Sequence, residues 1–359
     1  MPDSLPDHAS DHSPTALPPV APQVQGVARH MDRLARLPEP AWLHAEVARR
    51  LGDKLDAILL RPDQWLDWGG WLGAGQASVV ARYPQAQRFV FEPTPALAER
   101  SRQASQAPQA GAALPPPDAE ASPAAGGILR SLLGRLMPGP STATPGPAVQ
   151  TPDATSSVFH EFMRKPAAWP EEGVGLVWAN MALHAETDVP ALLRAWHRAL
   201  KVDGFVMCSG LGPDTARELK AVYRELGWGL PTIDFIDMHD LGDAFVKAGF
   251  SDPVMDMERI TLTWPDAEAL IAECRQWGGN VALGRHPGLR TPRWRTRLLQ
   301  ALQSALARPD GRLGLTIELV YGHAVKPVPR ALVSGETRVS LQDMKRIIEQ
   351  GKRAGPAAS

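Results

Sequence analysis

GLVWANMALHAETDVPALLRAWHRALKVDGFVMCSGLGPDTARE, from Gly175 to Glu218, reads as strand, helix, strand, helix. Leu176 to Ala179 is a short apolar run ending at Asn180, the form of a strand buried in a parallel sheet that then opens into a loop. Asp188 is placed to cap the next helix, and Pro190 is tolerated in its first turn because the amide that proline lacks would have no partner there. Leu192, Leu193, Trp196, Ala199 and Leu200 recur at helical spacing as one apolar stripe. Lys201 suits the negative end of that helix, and Gly204 permits a tight turn into a second apolar strand, Phe205 to Ser209. Two strands joined through a helix imply a right-handed parallel crossover. Gly210 and Gly212 are expected to bracket a sharp loop, and Thr215 with Glu218 has the spacing of a capping box for another helix.

Around this block the composition sets loose bounds. A chain of 359 residues holds one large domain or two, and 44% hydrophobic residues suffice for a sizeable core. A net charge of −1 gives no global pull toward nucleic acid or membrane. Two cysteines, Cys208 and Cys274, make a disulfide framework unexpected and fit a reducing compartment. With no cationic start before an apolar core and no span-length apolar run, a cytoplasmic protein without stable membrane association is expected. Residues 1–28 read as a disordered tail; its His8 and His12 lack further ligands, so no metal site is expected.

Trp42 to Leu60 is periodic and reads as an amphipathic helix. Residues 29–103 then hold WLDWG, a glycine-bearing turn, a helix and RFVFE, a second strand. From 104 to 155 the chain is rich in Ala, Pro, Gly, Ser and Thr, and reads as an insertion outside the sheet. Its one periodic island, Ile128 to Met137, is a lid or a surface helix. Residues 156–326 carry the rest of the domain, with a third strand placed at Ser157 to Phe162. There, Asp237 caps a helix, Met255 to Trp264 is a strand, Asp266 to Trp277 a helix, and Leu313 to His323 a last strand at the sheet edge. Residues 327–359 read as a tail with one short helix.

WANMALH (Trp178 to His184), GLGPDTARELK (Gly210 to Lys220), FIDMHDLGDAFVKAGF (Phe235 to Phe250) and ERITLTWPD (Glu258 to Asp266) resemble the malonyl-acyl-carrier-protein O-methyltransferase family of biotin synthesis. More broadly, the block resembles the fourth and fifth strands of class I S-adenosylmethionine-dependent methyltransferases. The resemblance implies an α/β, Rossmann-like sheet of seven strands in the order 3-2-1-4-5-7-6, the last strand antiparallel, with helices on both faces. It implies S-adenosylmethionine as cofactor, held by Asp67, Gly69, Gly70, Gly73, Glu92, Asn180 and Met181. Glu92, ending the second strand, takes the position that accepts hydrogen bonds from the ribose hydroxyls. Trp71 stands where the family has its second glycine, and Gly70 is expected to take over the strained dihedral. The carboxylate for the adenine amino group falls near the insertion, with Glu161 the nearest candidate.

The chemistry implied is methyl transfer to a malonyl carboxylate that is already ionised at neutral pH, so no dedicated base is required. Catalytic candidates are therefore positional: Asn180 and His184 after the fourth strand, and His239 in a helix's first turn. The plain alternative for each is loop or helix-start polarity. Arg285, Arg290, Arg293, Arg295 and Arg297 form a basic cluster without a nucleic-acid motif. If the substrate is an acidic acyl carrier protein, that cluster docks it. Two other functions stay open: a catalytically degenerate methyltransferase fold serving as a binding or assembly protein, and a methyltransferase acting on a small molecule.

Overall fold

Val174–Ala179, the fourth strand (β4), is buried at every position, as a strand covered on both faces must be. In the computed structural model, residues 24–106, 148–150, 170–186 and 188–329 are described. The other strands are β1 (Gln64–Trp68), β2 (Gln87–Phe91), β3 (Ala148–Gln150), β5 (Leu200–Leu211), β6 (Ser251–Trp264) and β7 (Leu313–Val325). They form one sheet in the order β3-β2-β1-β4-β5-β7-β6. β3, β2, β1, β4 and β5 pair in parallel, while β7 runs antiparallel to both β5 and β6. The expected sheet is therefore found, with one adjustment. β7 is internal and β6 is the edge strand, because β7 lies fully against β5 from Phe205↔Val325 to Leu211↔Leu319.

The helices are α1 (Val24–Leu34), α2 (Trp42–Asp53), α3 (Gly70–Gly73), α4 (Gln76–Arg82), α5 (Pro95–Gln106), α6 (Val189–Ala199), α7 (Arg217–Glu225), α8 (Met238–Lys247), α9 (Ala267–Gln276) and α10 (Pro292–Ala305). α2, α7, α9 and α10 bury Leu43, Val222, Leu270 and Leu302 on one face of the sheet. α6 and α8 bury Leu192, Leu193, Trp196, Leu241 and Phe245 on the other. Each such fully buried large side chain contributes about 1.5–3 kcal/mol of transfer free energy. α6 begins as its sequence requires: Asp188 Oδ1 accepts the Ala191 amide at 2.8 Å. Asp237 and Asp266 cap α8 and α9 in the same way.

Four local expectations change. The third strand is Ala148–Gln150, inside the stretch read as an insertion; Ser157 to Phe162, Glu161, the Ile128 to Met137 island and the C-terminal helix lie outside the described residues. Thr215 and Glu218 form no capping box: Thr215 Oγ1 donates to Glu318 O at 3.0 Å, and Glu218 accepts the Thr316 amide at 3.0 Å. Both side chains find stronger use in tying the start of α7 to β7, and Gly210 is part of β5 rather than of a loop. Finally, residues 24–28, assigned to the tail, are the first turn of α1. The described residues up to 327 belong to one compact unit.

Candidate active site

β1, β2 and β4 end on the same side of the sheet, and the residues singled out from sequence lie at those ends. After β1 the chain turns through Gly69, whose φ of +70° is the left-handed region that glycine adopts without strain. The positive dihedral thus sits at Gly69, not at Gly70 as expected. Gly70 is needed for space: an added Cβ would lie 3.0 Å from Asp67 Oδ2 and 2.9 Å from Arg88 Nη2.

Those two atoms belong to a buried ion pair. Asp67 Oδ2 accepts from Arg88 Nη2 at 2.6 Å and from Nε at 3.0 Å, and Arg88 also donates to Gln76 Oε1 at 2.7 Å. Burial pushes the Asp67 carboxyl above the usual carboxylate range, opposed by the Arg88 guanidinium. Of the two expected acidic positions, Asp67 is therefore matched at Oδ2 by a cation from the neighbouring strand, while its Oδ1 has no hydrogen-bond partner among the described residues.

Glu92 is arranged differently. It follows β2, is fully buried, and divides its carboxyl: Oε1 accepts the Trp71 amide at 2.7 Å and the Ser101 hydroxyl, while Oε2 has no hydrogen-bond partner among the described residues. Burial pushes its pKa up to about 7 against the bonds from Ser101 and Trp71. The Trp71 indole packs with Leu34 at the end of α1, Ala35 just after it and Leu97 of α5, under the Arg100 guanidinium at 4.7 Å. Its ring thus belongs to a side cluster, while its main chain serves Glu92.

After β4, Asn180 ties three elements together. Nδ2 donates to His44 O at 2.8 Å and to Gly73 O at 2.7 Å, and Oδ1 accepts from Ser209 Oγ at 2.7 Å. Ser209 Oγ in turn accepts the Met181 amide at 2.8 Å. Met181 itself is buried at φ +53°, a conformation that costs a non-glycine residue about 1–3 kcal/mol and persists only where surroundings enforce it. The turn after β4 is thus held rigidly by β5, α2 and the glycine turn.

His44 faces this turn from α2. Its Nδ1–H donates to Leu72 O at 2.8 Å, leaving Nε2 as an unpartnered acceptor. His184, half-buried, meets the His44 ring edge-on at 5.9 Å, with its own Nδ1 enclosed and unpartnered. Burial lowers the pKa of both, so both are neutral at pH 7. His239 stands outside this group: it is exposed at the start of α8, and its amide and Nδ1 both meet Asp237 Oδ1, at 2.7 and 2.8 Å.

Of the residues singled out from sequence, Asp67, Gly69, Gly70, Gly73, Glu92, Asn180, Met181 and His184 lie together at these strand ends, joined by Arg88, Ser101, Ser209 and His44, which the sequence reading did not single out. His44 had a legible signal, since it sits beside Leu43 and one turn before Val47 and Ala48 on the buried side of α2. The other three act across strands or between helix and strand, where spacing along the chain carries no mark. The basic cluster is divided. Arg295 pairs with Glu268 at 3.6 Å, Arg290 donates to Trp228 O at 2.8 Å, and Arg297 stacks over Trp228. Arg293 is exposed, and Arg285 lines a cavity.

No protein-family model matches the chain. The malonyl-(acyl-carrier protein) O-methyltransferase of Laribacter hongkongensis is 34% identical over 310 residues, spanning 86% of this chain and 89% of that protein. The enzyme of the same name from Methylovorus sp. is 33% identical over 319 residues, 88% of this chain and 94% of its own. Among solved structures, the YcgJ protein of Bacillus subtilis covers 78% of this chain and 99% of its own at 12% identity, with a TM-score of 0.45.

Proposed function

The chain belongs to the malonyl-(acyl-carrier protein) O-methyltransferase family, and on that premise we propose that it moves a methyl group from S-adenosylmethionine to the free carboxylate of a malonyl group on an acyl carrier protein, in biotin synthesis. The observation that carries the cofactor assignment is Glu92 Oε2 at the carboxyl end of β2, a buried carboxylate oxygen with no partner among the described residues, beside the glycine turn that follows β1. A buried acceptor left unmatched costs about 1–3 kcal/mol, and a sugar hydroxyl is the donor that would relieve it. When bound there, S-adenosylmethionine would supply an electrophilic methyl group on a sulfonium.

The remaining tasks fall to the protein. Gly69 and Gly73 let the main chain approach the cofactor, and Asn180 fixes the turn that closes over it by holding Gly73 O and His44 O together. Met181 is locked by Ser209, so the floor of the site is set before any ligand arrives. His184 Nδ1, in its N–H tautomer, is a neutral donor for a carboxylate oxygen, whereas His44 Nε2 is a lone pair that cannot donate to it. A neutral donor orients a carboxylate without protonating it or quenching it as a cation would, so it keeps its nucleophilicity. Arg88 cancels the Asp67 charge and removes a carboxylate that would repel the incoming acid.

Two measurements test this reading. Calorimetric titration with S-adenosylhomocysteine should show one site per chain, and malonyl-carrier protein offered with methyl-labelled cofactor should yield a labelled ester. Absence of cofactor uptake would leave a methyltransferase fold acting as a binding module. Tight uptake without transfer to the carrier would point to a small-molecule acceptor.

A further inference from the structure

α1 and the loop 278–289 enclose a cavity of about 440 Å3, within the roughly 300–1,000 Å3 usual for small-molecule sites. Arg29 and Arg33 enter it from α1, Arg285 and His286 from the loop, and no acidic residue lines it. On its inner wall is His30, 6% exposed, with neither ring nitrogen partnered among the described residues. The wall is built tightly. Gly278, at φ +117°, passes so close that an added Cβ would lie 1.7 Å from His30 Cε1, and Arg33 Nη1 donates to Gly278 O at 2.7 Å. One turn after His30 on α1, Leu34 packs in one cluster with Leu72, whose carbonyl accepts from His44 Nδ1, so the cavity lies on the same side of the fold as the proposed transfer site.

Three guanidinium groups around one cavity, with a buried imidazole whose donor is unused, are complementary to an anion with several oxygens. That anion is poorly suited to be the reacting carboxylate, because a ring of arginines would hold its charge and blunt its attack. Resting on the methyltransferase reading above, we infer that this cavity seats the phosphodiester of the substrate's phosphopantetheine arm, with Arg29, Arg33 and Arg285 on the phosphate oxygens and His30 at the floor. The arm then runs inward past His30 and delivers the malonyl group to the neutral pocket of His44 and His184. Leu289, 99% exposed at the cavity rim, and the exposed Arg293 on α10 lie where the carrier protein itself would rest. The division of labour is electrostatic: cations hold the end that does not react, and neutral groups hold the end that does.

The test compares ligands that differ only in the phosphate. Calorimetry on the full chain with 4′-phosphopantetheine and with pantetheine should show at least about tenfold tighter binding of the first, the scale of one charge-assisted hydrogen bond. Malonyl-S-phosphopantetheine should likewise have a KM about tenfold or more below that of malonyl-S-pantetheine. Arg29→Ala and Arg285→Ala should each shrink both preferences about tenfold, and Arg29→Lys should retain part of them. Arg29 is exposed on α1, so its removal leaves packing intact and a lost preference reports the contact itself. Equal affinities for the two ligands in the wild-type chain, or a preference that survives both substitutions, would overturn the assignment. Transfer to both malonyl thioesters with equal KM would sink the phosphate station while sparing the enzymatic reading. Arginine-dependent binding of phosphopantetheine by a chain that methylates neither thioester would sustain the station and overturn the reaction.

Discussion

Replacing Glu92 by glutamine should make the unliganded protein more stable at alkaline pH and a poorer binder of cofactor. The folded-state pKa of Glu92 lies at about 7, against 4.5 for the free side chain, because burial disfavours its charge. Between those values the folded chain retains a proton that the unfolded chain has released, so stability falls as pH rises through that window and is level above it. At about 1.4 kcal/mol per unit, the wild-type protein loses about 3 kcal/mol between the two ends. An amide carries no charge to bury, and its oxygen can still accept from the Trp71 amide and the Ser101 hydroxyl. Urea unfolding of the two proteins should therefore give nearly equal stability at about pH 5 and a Glu92→Gln advantage of about 2–3 kcal/mol at about pH 8, with unchanged slope against denaturant. Asp67, also raised by burial, adds a dependence of the same sign to both proteins, but its charge also raises Glu92, so it cancels only in part. The same variant should bind S-adenosylhomocysteine about tenfold or more weakly, since the unpartnered oxygen is replaced by a donor facing donors. A stability difference that does not change with pH would refute the buried-proton account. Undiminished affinity would refute the assignment of Oε2 to the sugar.

Arg88→Leu should destabilise the chain by about 3–5 kcal/mol by stranding a buried carboxylate, and Asp67→Asn added to it should recover most of that loss in a double-mutant cycle. Trp71→Gly, which restores the residue usual in the family, should lower stability by about 3–5 kcal/mol by emptying the cluster of Leu34, Leu72 and Leu97. An unchanged midpoint in thermal unfolding would show that the indole is not packed there.

Elements governed by local rules were legible. The apolar run of β4, the stripe of α6 and the aspartates before α6, α8 and α9 each declare themselves within a few residues, because burial periodicity and capping are short-range. The capping box expected at Thr215 and Glu218 failed because both side chains reach a strand about a hundred residues away in sequence. β3 escaped notice for a related cause: three residues inside a Pro- and Ala-rich stretch carry no periodicity, and only pairing with β2 makes them a strand.

From the chain alone came the glycine turn after β1, the acidic residue after β2 and the polar turn after β4, which follow from patterning; the sheet order came from the family resemblance that the four motifs carry. Folding decided what those groups are free to do. It gave Asp67 to Arg88, divided Glu92 between two donors and an open lone pair, committed Asn180 wholly to holding neighbours, and brought Arg285 of a distant loop to the cavity that His30 lines. The physical reason is that hydrogen bonds and charge pairing depend on distances of a few ångströms between strands and helices remote in sequence, whereas hydrophobic periodicity is written residue by residue.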